Sequence, residues 1–322
     1  MRALRFLMRS RPFQAIAILL ALSTLLCSNS FAAPDWSAIQ GALNATGVEL
    51  PGNVLRFELS RQDLAMTVNG QPVPSIETAA VANGYVAFKH IDEVRVFVDG
   101  ALPAQETELP ALQAALRADT KIHITAIANH LTLESPKLVW VHFTATGNGT
   151  DLATSLATAL AAIHSPQVGV GVILGTNSVF DPSILPPKFL KLFDEGVVEQ
   201  LNDIFVFYLP RPDERRISVG PVEAETGLGI GQSFYIQIPL SGGTNTATLN
   251  IDFALRADEI QQVEDTLRAG GFTISAQHNQ LLDDTPHLYF VHASASGDGF
   301  TLGNTLYTVI KIIQAHATLN AL

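Results

Sequence analysis

Apolar and polar residues alternate over 53–60, which predicts a strand with one face turned to a core. Further strands are predicted over 84–88 and 93–98, and the turn pair Asn69-Gly70 falls between these runs. Trp36, Ile39 and Leu43 share one side of a short helix that Asp35 or Ser37 can cap. Leu109, Leu112 and Leu116 stand at helical spacing within 106–117. Strands over 121–128 and 137–146 then flank an Asn129-His130 loop, and an Ala/Leu-rich helix over 151–163 follows Gly147-Asn-Gly149. The remainder repeats the order. It predicts a helix over 189–201, strands over 203–208, 217–219, 231–239 and 247–253, and a helix over 259–270 stopped by Gly270-Gly271. Strands over 272–277 and 287–296 and a last helix over 301–318 complete it.

The repetition extends to individual residues. Residues 126–152 align without a gap on 276–302, with 11 identities in 27 positions, among them His142 and His292. Matching at a fixed offset over a whole hairpin marks an internal duplication. Each half reads as helix, several strands, helix, two strands, helix. That order predicts an α+β fold of two similar domains, each a largely antiparallel sheet packed with helices, the sheets lying side by side about a pseudo-twofold. The predicted boundaries are a leader over 1–32, a first repeat domain over 33–163, a linker over 164–187 rich in Gly and Pro, and a second repeat domain over 188–322. The two repeats are expected to pack on each other.

Composition changes this picture at the front of the chain. Arg2, Arg5, Arg9 and Arg11 precede an apolar run of 12 residues, and Ser30-Phe31-Ala32 fits a small-x-small cleavage site. This is the pattern of a secretory signal peptide, too short to span a bilayer. It predicts a periplasmic or secreted protein with no transmembrane anchor after cleavage. Cys27, the single cysteine, follows Leu26 rather than a small residue, which argues against a lipoprotein. A cut after residue 32 would leave no thiol, hence no disulfide, no Cys nucleophile and no Cys-bound zinc. The formal charge of −11 becomes −15 without the four leader arginines, a balance that excludes nucleic acid as a partner.

The candidate chemistry lies in the duplicated hairpin. By period two, His142 shares a strand face with Leu138 and Trp140, and His292 with Leu288 and Phe290. Each histidine can be a satisfied core residue or a metal ligand. The second reading gains from a nearby imidazole, because neighbouring strands bring His130 toward His142 and His278 toward His292. Two histidines fall short of the three protein ligands usual at catalytic zinc, and Glu134 or Asp284 can supply a carboxylate, with Asp63 and Asp213 less local. Asn129 and Asn279 suit either a turn or ligand contact. Arg61/Asp63 and Arg211/Asp213 are expected as strand-end ion pairs of the weak surface kind. The chain has no Gly-x-Ser-x-Gly, Ser-x-x-Lys or His-Glu-x-x-His motif, which argues against a serine hydrolase and the commonest zinc protease pattern.

Arg-x-Asp, a helix, Thr/Ser-Ala-x-x-Asn-x-Leu, Pro-x-Leu-x-x-Val-His and Gly-Asn/Asp-Gly occur in this order in both halves. This succession resembles the LppY/LpqO group of bacterial envelope proteins, built around a domain of uncharacterised function. The resemblance implies an envelope location and a His-Asn-His core followed by a downstream His. Here the first copy reads Ala128-Asn129-His130 and the second His278-Asn279-Gln280. The gaps are complementary, one leading and one trailing, which admits a composite site between the halves. The functional expectation is a module that binds an unidentified envelope ligand or protein. The alternative is a metal-dependent hydrolase using the hairpin histidines and a divalent, zinc-like ion.

Overall fold

The computed structural model describes residues 35–68, 70–73, 81–163, 167–168, 185–191, 197–201, 204–237 and 245–319. The predicted leader and most of the predicted linker lie outside them. In β2 (Val54–Ser60), Leu55, Phe57 and Leu59 enter one apolar cluster while Val54 enters a second, and Arg56 is buried as well. A strand covered by helices on one side alone would expose every other residue. The burial of both faces requires another layer.

That layer is the other repeat. The first sheet runs β1 (Val48–Leu50), β2, β5 (Asn83–His90), β6 (Arg95–Gln105), β9 (Leu138–Asn148), β7 (Ile122–Ala128), with the short β10 (Gln167–Val168) also on β2. The second runs β11 (Val197–Leu201), β12 (Ile204–Leu209), β15 (Gln232–Gln237), β16 (Thr246–Leu255), β19 (Tyr289–Asp298), β17 (Thr273–His278). Every pairing in both is antiparallel. The fold is α+β, as the element order predicts.

Helices cover the outer faces. On the first sheet lie α1 (Ser37–Leu43), α2 (Leu109–Ala118) and α3 (Gly149–Ala161), through Trp36, Ile39, Leu112, Leu116, Leu152 and Leu156. On the second lie α4 (Pro187–Leu190), α5 (Ile260–Ala269) and α6 (Gly299–Leu319), through Phe189, Val263, Leu267, Leu306 and Ile313. The inner faces meet. Trp140 and Leu138 of the first repeat share a core with Phe290, Leu288 and Ala254 of the second, and Tyr208 donates to Glu58 at 2.6 Å across the join. The sheets therefore pack face to face in one compact unit rather than side by side. The polar residues Arg56, Glu58 and Asp252 line this join, with Asp99 behind Tyr85. Among the described residues no helix is long and apolar enough to cross a membrane.

Two further expectations need correction. The helix predicted over 189–201 ends by Leu190, and Val197–Leu201 is a strand paired with Ile204–Leu209. The valine pair at 197–198 and the adjacent strand override the helical spacing. Arg61 and Arg211 do form ion pairs with Asp63 and Asp213, both at 2.9 Å, but the arginines are buried and each has a third partner. Glu108 receives both terminal nitrogens of Arg61 at 2.8 and 2.9 Å, and Glu259 those of Arg211, both at 2.9 Å. These glutamates are the residues before α2 and α5, so each pair ties a strand end to a helix start.

Candidate metal centre

The duplicated hairpin is held by its asparagines. Asn129 accepts from the Leu131 amide at 2.8 Å and donates to Glu134 at 2.9 Å and to the Leu138 carbonyl at 3.0 Å. Asn279 accepts from the Leu281 amide at 2.9 Å. Each side chain bonds backbone two residues ahead, the Asx-turn geometry. The edge strand of each hairpin carries a bulge, between Ile124 and Ala126 and between Ile274 and Ala276, next to the partners of His142 and His292. Bulges re-aim side chains and recur beside functional sites.

Within each repeat the histidines meet. Nε2 of His130 is 2.9 Å from Nε2 of His142, and Nε2 of His278 is 3.1 Å from Nε2 of His292. The repeats then bring the pairs together: His130 stacks on His292 with centroids 3.8 Å apart, and His278 lies 5.2 Å from both His130 and His142. Trp140 covers the other face of His130, stacked at 4.4 Å. Ligand atoms of His130, His278 and His292 all fall within 4.8 Å of one another, so this cluster can hold a metal ion. A tetrahedral ion with bonds of about 2.0–2.1 Å to imidazole sets ligands about 3.3 Å apart, close to the 3.1 Å between Nε2 of His278 and Nε2 of His292.

The electrostatics favour ligation. Burial, and after it the neighbouring imidazoles, hold His130, His142 and His292 well below the ordinary histidine range, and burial lowers His278 too. The rings are thus neutral at pH 7, the form that binds metal.

A cavity of about 70 Å³ opens beside the cluster between the two sheets, lined by His130, His142, His292, Gln280, Asp252 and Arg56 among others. Arg56 is buried, lies 3.8 Å above the Tyr85 ring, pairs with Glu58 and donates to the Gly227 carbonyl at 3.0 Å. Tyr85 hydrogen-bonds Asp99, whose carboxyl burial pushes up to about 7. Burial pushes Asp252 up to about 8. Sequence reasoning missed Arg56, Tyr85, Asp99, Asp252 and Gln280. Asp252 and Asn250 continue the alternation of Thr246 and Thr248 along β16, the pattern of a strand with one solvated face, so their spacing marked no site.

The remaining predicted residues lie elsewhere. Glu134 accepts from Asn129 and Lys137, and Asp284 from His287 and the Leu288 amide, so both carboxylates belong to the hairpins' own networks and neither joins the histidine group. Asn148 caps α3 through the amides of Thr150 and Asp151, and Asp298 bonds the amide of Thr301 at the start of α6. The Gly-Asn-Gly and Gly-Asp-Gly segments are strand-to-helix turns.

The chain matches the family described as Domain of Unknown Function (DUF1259) twice, over residues 37–162 and 192–312, and it belongs to that family. No curated protein matches it. Among solved structures, the crystal structure of EtuB from Clostridium kluyveri aligns over 84% of this chain and 91% of its own, at 8% identity and a TM-score of 0.20. A likeness that slight carries no argument about fold or function.

Proposed function

We propose that this member of the DUF1259 family is a metal-binding protein of the bacterial envelope, its two repeats joined around one divalent transition-metal ion. His130 from the first repeat and His278 and His292 from the second are the ligands, with His142 beside them. The observation that carries this reading is the mutual approach of three imidazoles from two repeats, His292 buried and His130 and His278 half-buried, to within 4.8 Å. Neither repeat has a complete set by itself. An all-nitrogen set without thiolate suits zinc, copper or nickel over magnesium or calcium. The envelope location rests on the signal-peptide pattern of residues 1–32 and on the resemblance to the LppY/LpqO group. A zinc-type hydrolase is the second reading, favoured by the cavity beside the cluster and by Asp252 Oδ1, 3.9 Å from His292 Nε2.

The test is metal content. Untagged protein dialysed against stoichiometric zinc, copper or nickel should retain about one ion per chain. His278→Ala should lose it. Protein that stays metal-free under excess of all three would overturn the reading.

A further inference from the structure

We infer that the ion held by these histidines keeps one exchangeable position turned toward the cavity, occupied by a water molecule that Gln280 and Asp252 hold. The inference rests on the metal-binding reading above and adds that the site is open rather than closed. Three protein ligands leave a four-coordinate ion one free position, the arrangement of catalytic rather than structural sites. His142 lies outside the set of ligand atoms that approach one another within 4.8 Å.

Two acceptor atoms shielded from solvent, one on buried Gln280 and one on Asp252, whose side chain is 25% exposed, lack a hydrogen-bond donor among the described residues. Gln280 is 3% exposed, and its Oε1 has no hydrogen-bond partner among the described residues. It stands where the duplicated register puts His130 in the first repeat, so the repeat that lacks a ligand there presents an amide oxygen instead. Asp252 lies directly opposite His292 in the pairing of β16 with β19, and its Oδ1 is likewise without a partner. Both residues line the cavity with His130 and His292. Buried polar atoms are nearly always satisfied, so such a pair points to a donor between them. A metal-bound water carries two protons for two acceptors, and a cavity of about 70 Å³ has room for it.

Cobalt(II) reports on the position directly, because its visible bands follow coordination number and ligand identity. The protein should bind about one cobalt, and azide should displace the water in a saturable one-to-one titration that shifts those bands. Gln280→Leu removes one acceptor from the displaced water, so azide should bind about 5–10-fold more tightly to that variant. Asp252→Asn, which keeps an oxygen acceptor, should shift azide affinity less. Cobalt bands that do not move in excess azide would mean a closed shell and would overturn the inference while leaving the metal site intact. Azide affinity unchanged in Gln280→Leu would overturn the role of the amide. Failure to bind cobalt, zinc or copper at all would remove the metal reading and this inference with it.

Discussion

His130 of the first repeat lies flat against His292 of the second, ring centroids 3.8 Å apart and planes 19° from parallel. Each ring also meets a histidine of its own repeat through Nε2. Ligand atoms of His130, His278 and His292 lie within 4.8 Å of one another, so one ion bound among them would take ligands from both halves, the His130 and His292 rings turning out of their stack to aim in-plane nitrogens at it. His130→Ala and His292→Ala should each lower zinc affinity by at least about 100-fold, since even outer-shell partners are worth 10–100-fold. Titration calorimetry of the two variants is the check. Full affinity in His130→Ala would show that the second repeat binds metal by itself.

Metal that binds only the folded chain should stabilise it. At free zinc 100-fold above Kd the gain is about 2.7 kcal/mol, equivalent to a rise in Tm of roughly 4–5 °C for a unit of this size. Calorimetric scans should show that rise, its reversal by a chelator, and its absence in His292→Ala. An equal rise in that variant would place the stabilising ion elsewhere.

The buried arginine networks predict a different kind of loss. Arg211 and Asp213 are almost fully buried with Glu259, whereas Asp63, the partner of Arg61, is 36% exposed. Arg211→Met leaves the buried Glu259 without a guanidinium, while Asp213 keeps Arg256, and should cost about 3–5 kcal/mol in urea unfolding. Arg61→Met should cost less, because water can solvate Asp63. Equal losses would contradict the burial difference.

Asp99 sets a pH dependence. Its carboxyl stands at about 7 in the folded chain, against 3.8 for the free side chain, because burial disfavours the charge. The folded state therefore binds more protons than the unfolded state between those values. This group's contribution is most favourable below about pH 4, weakens as pH rises toward 7 and is level above it. Asp99→Asn, which still accepts from Tyr85, removes the dependence. Its stability relative to the parent should rise across pH 4–7 by an amount on the order of a few kcal/mol. A flat difference over that range would show that Asp99 is charged when folded.

The hairpin was legible because its signals are local. Period two places His142 beside Trp140, strand pairing brings His130 to it, and the fixed offset exposes the second copy at His292. The histidine cluster as a whole was legible only as complementary gaps, His130 with no leading partner and His278 with no trailing one. What joins them is a contact between sheets, and no spacing along the chain encodes which faces meet. For the same reason Arg56 and Asp252 fall at the polar positions of alternating strands, and Asp99 stands just past the strand predicted over 93–98. Their burial depends on the other repeat lying over them. Glu108 and Glu259 were passed over because a glutamate in the first turn of a predicted helix reads as exposed until the buried arginine that it pairs with is placed.

The central claim is tested most directly by anomalous diffraction at the zinc edge from crystals grown with one equivalent of zinc. The account predicts a single strong peak about 2.0–2.1 Å from nitrogens of His130, His278 and His292, with ligands from both repeats around one ion. No peak between the sheets, or a peak ligated by the histidines of one repeat alone, would contradict it.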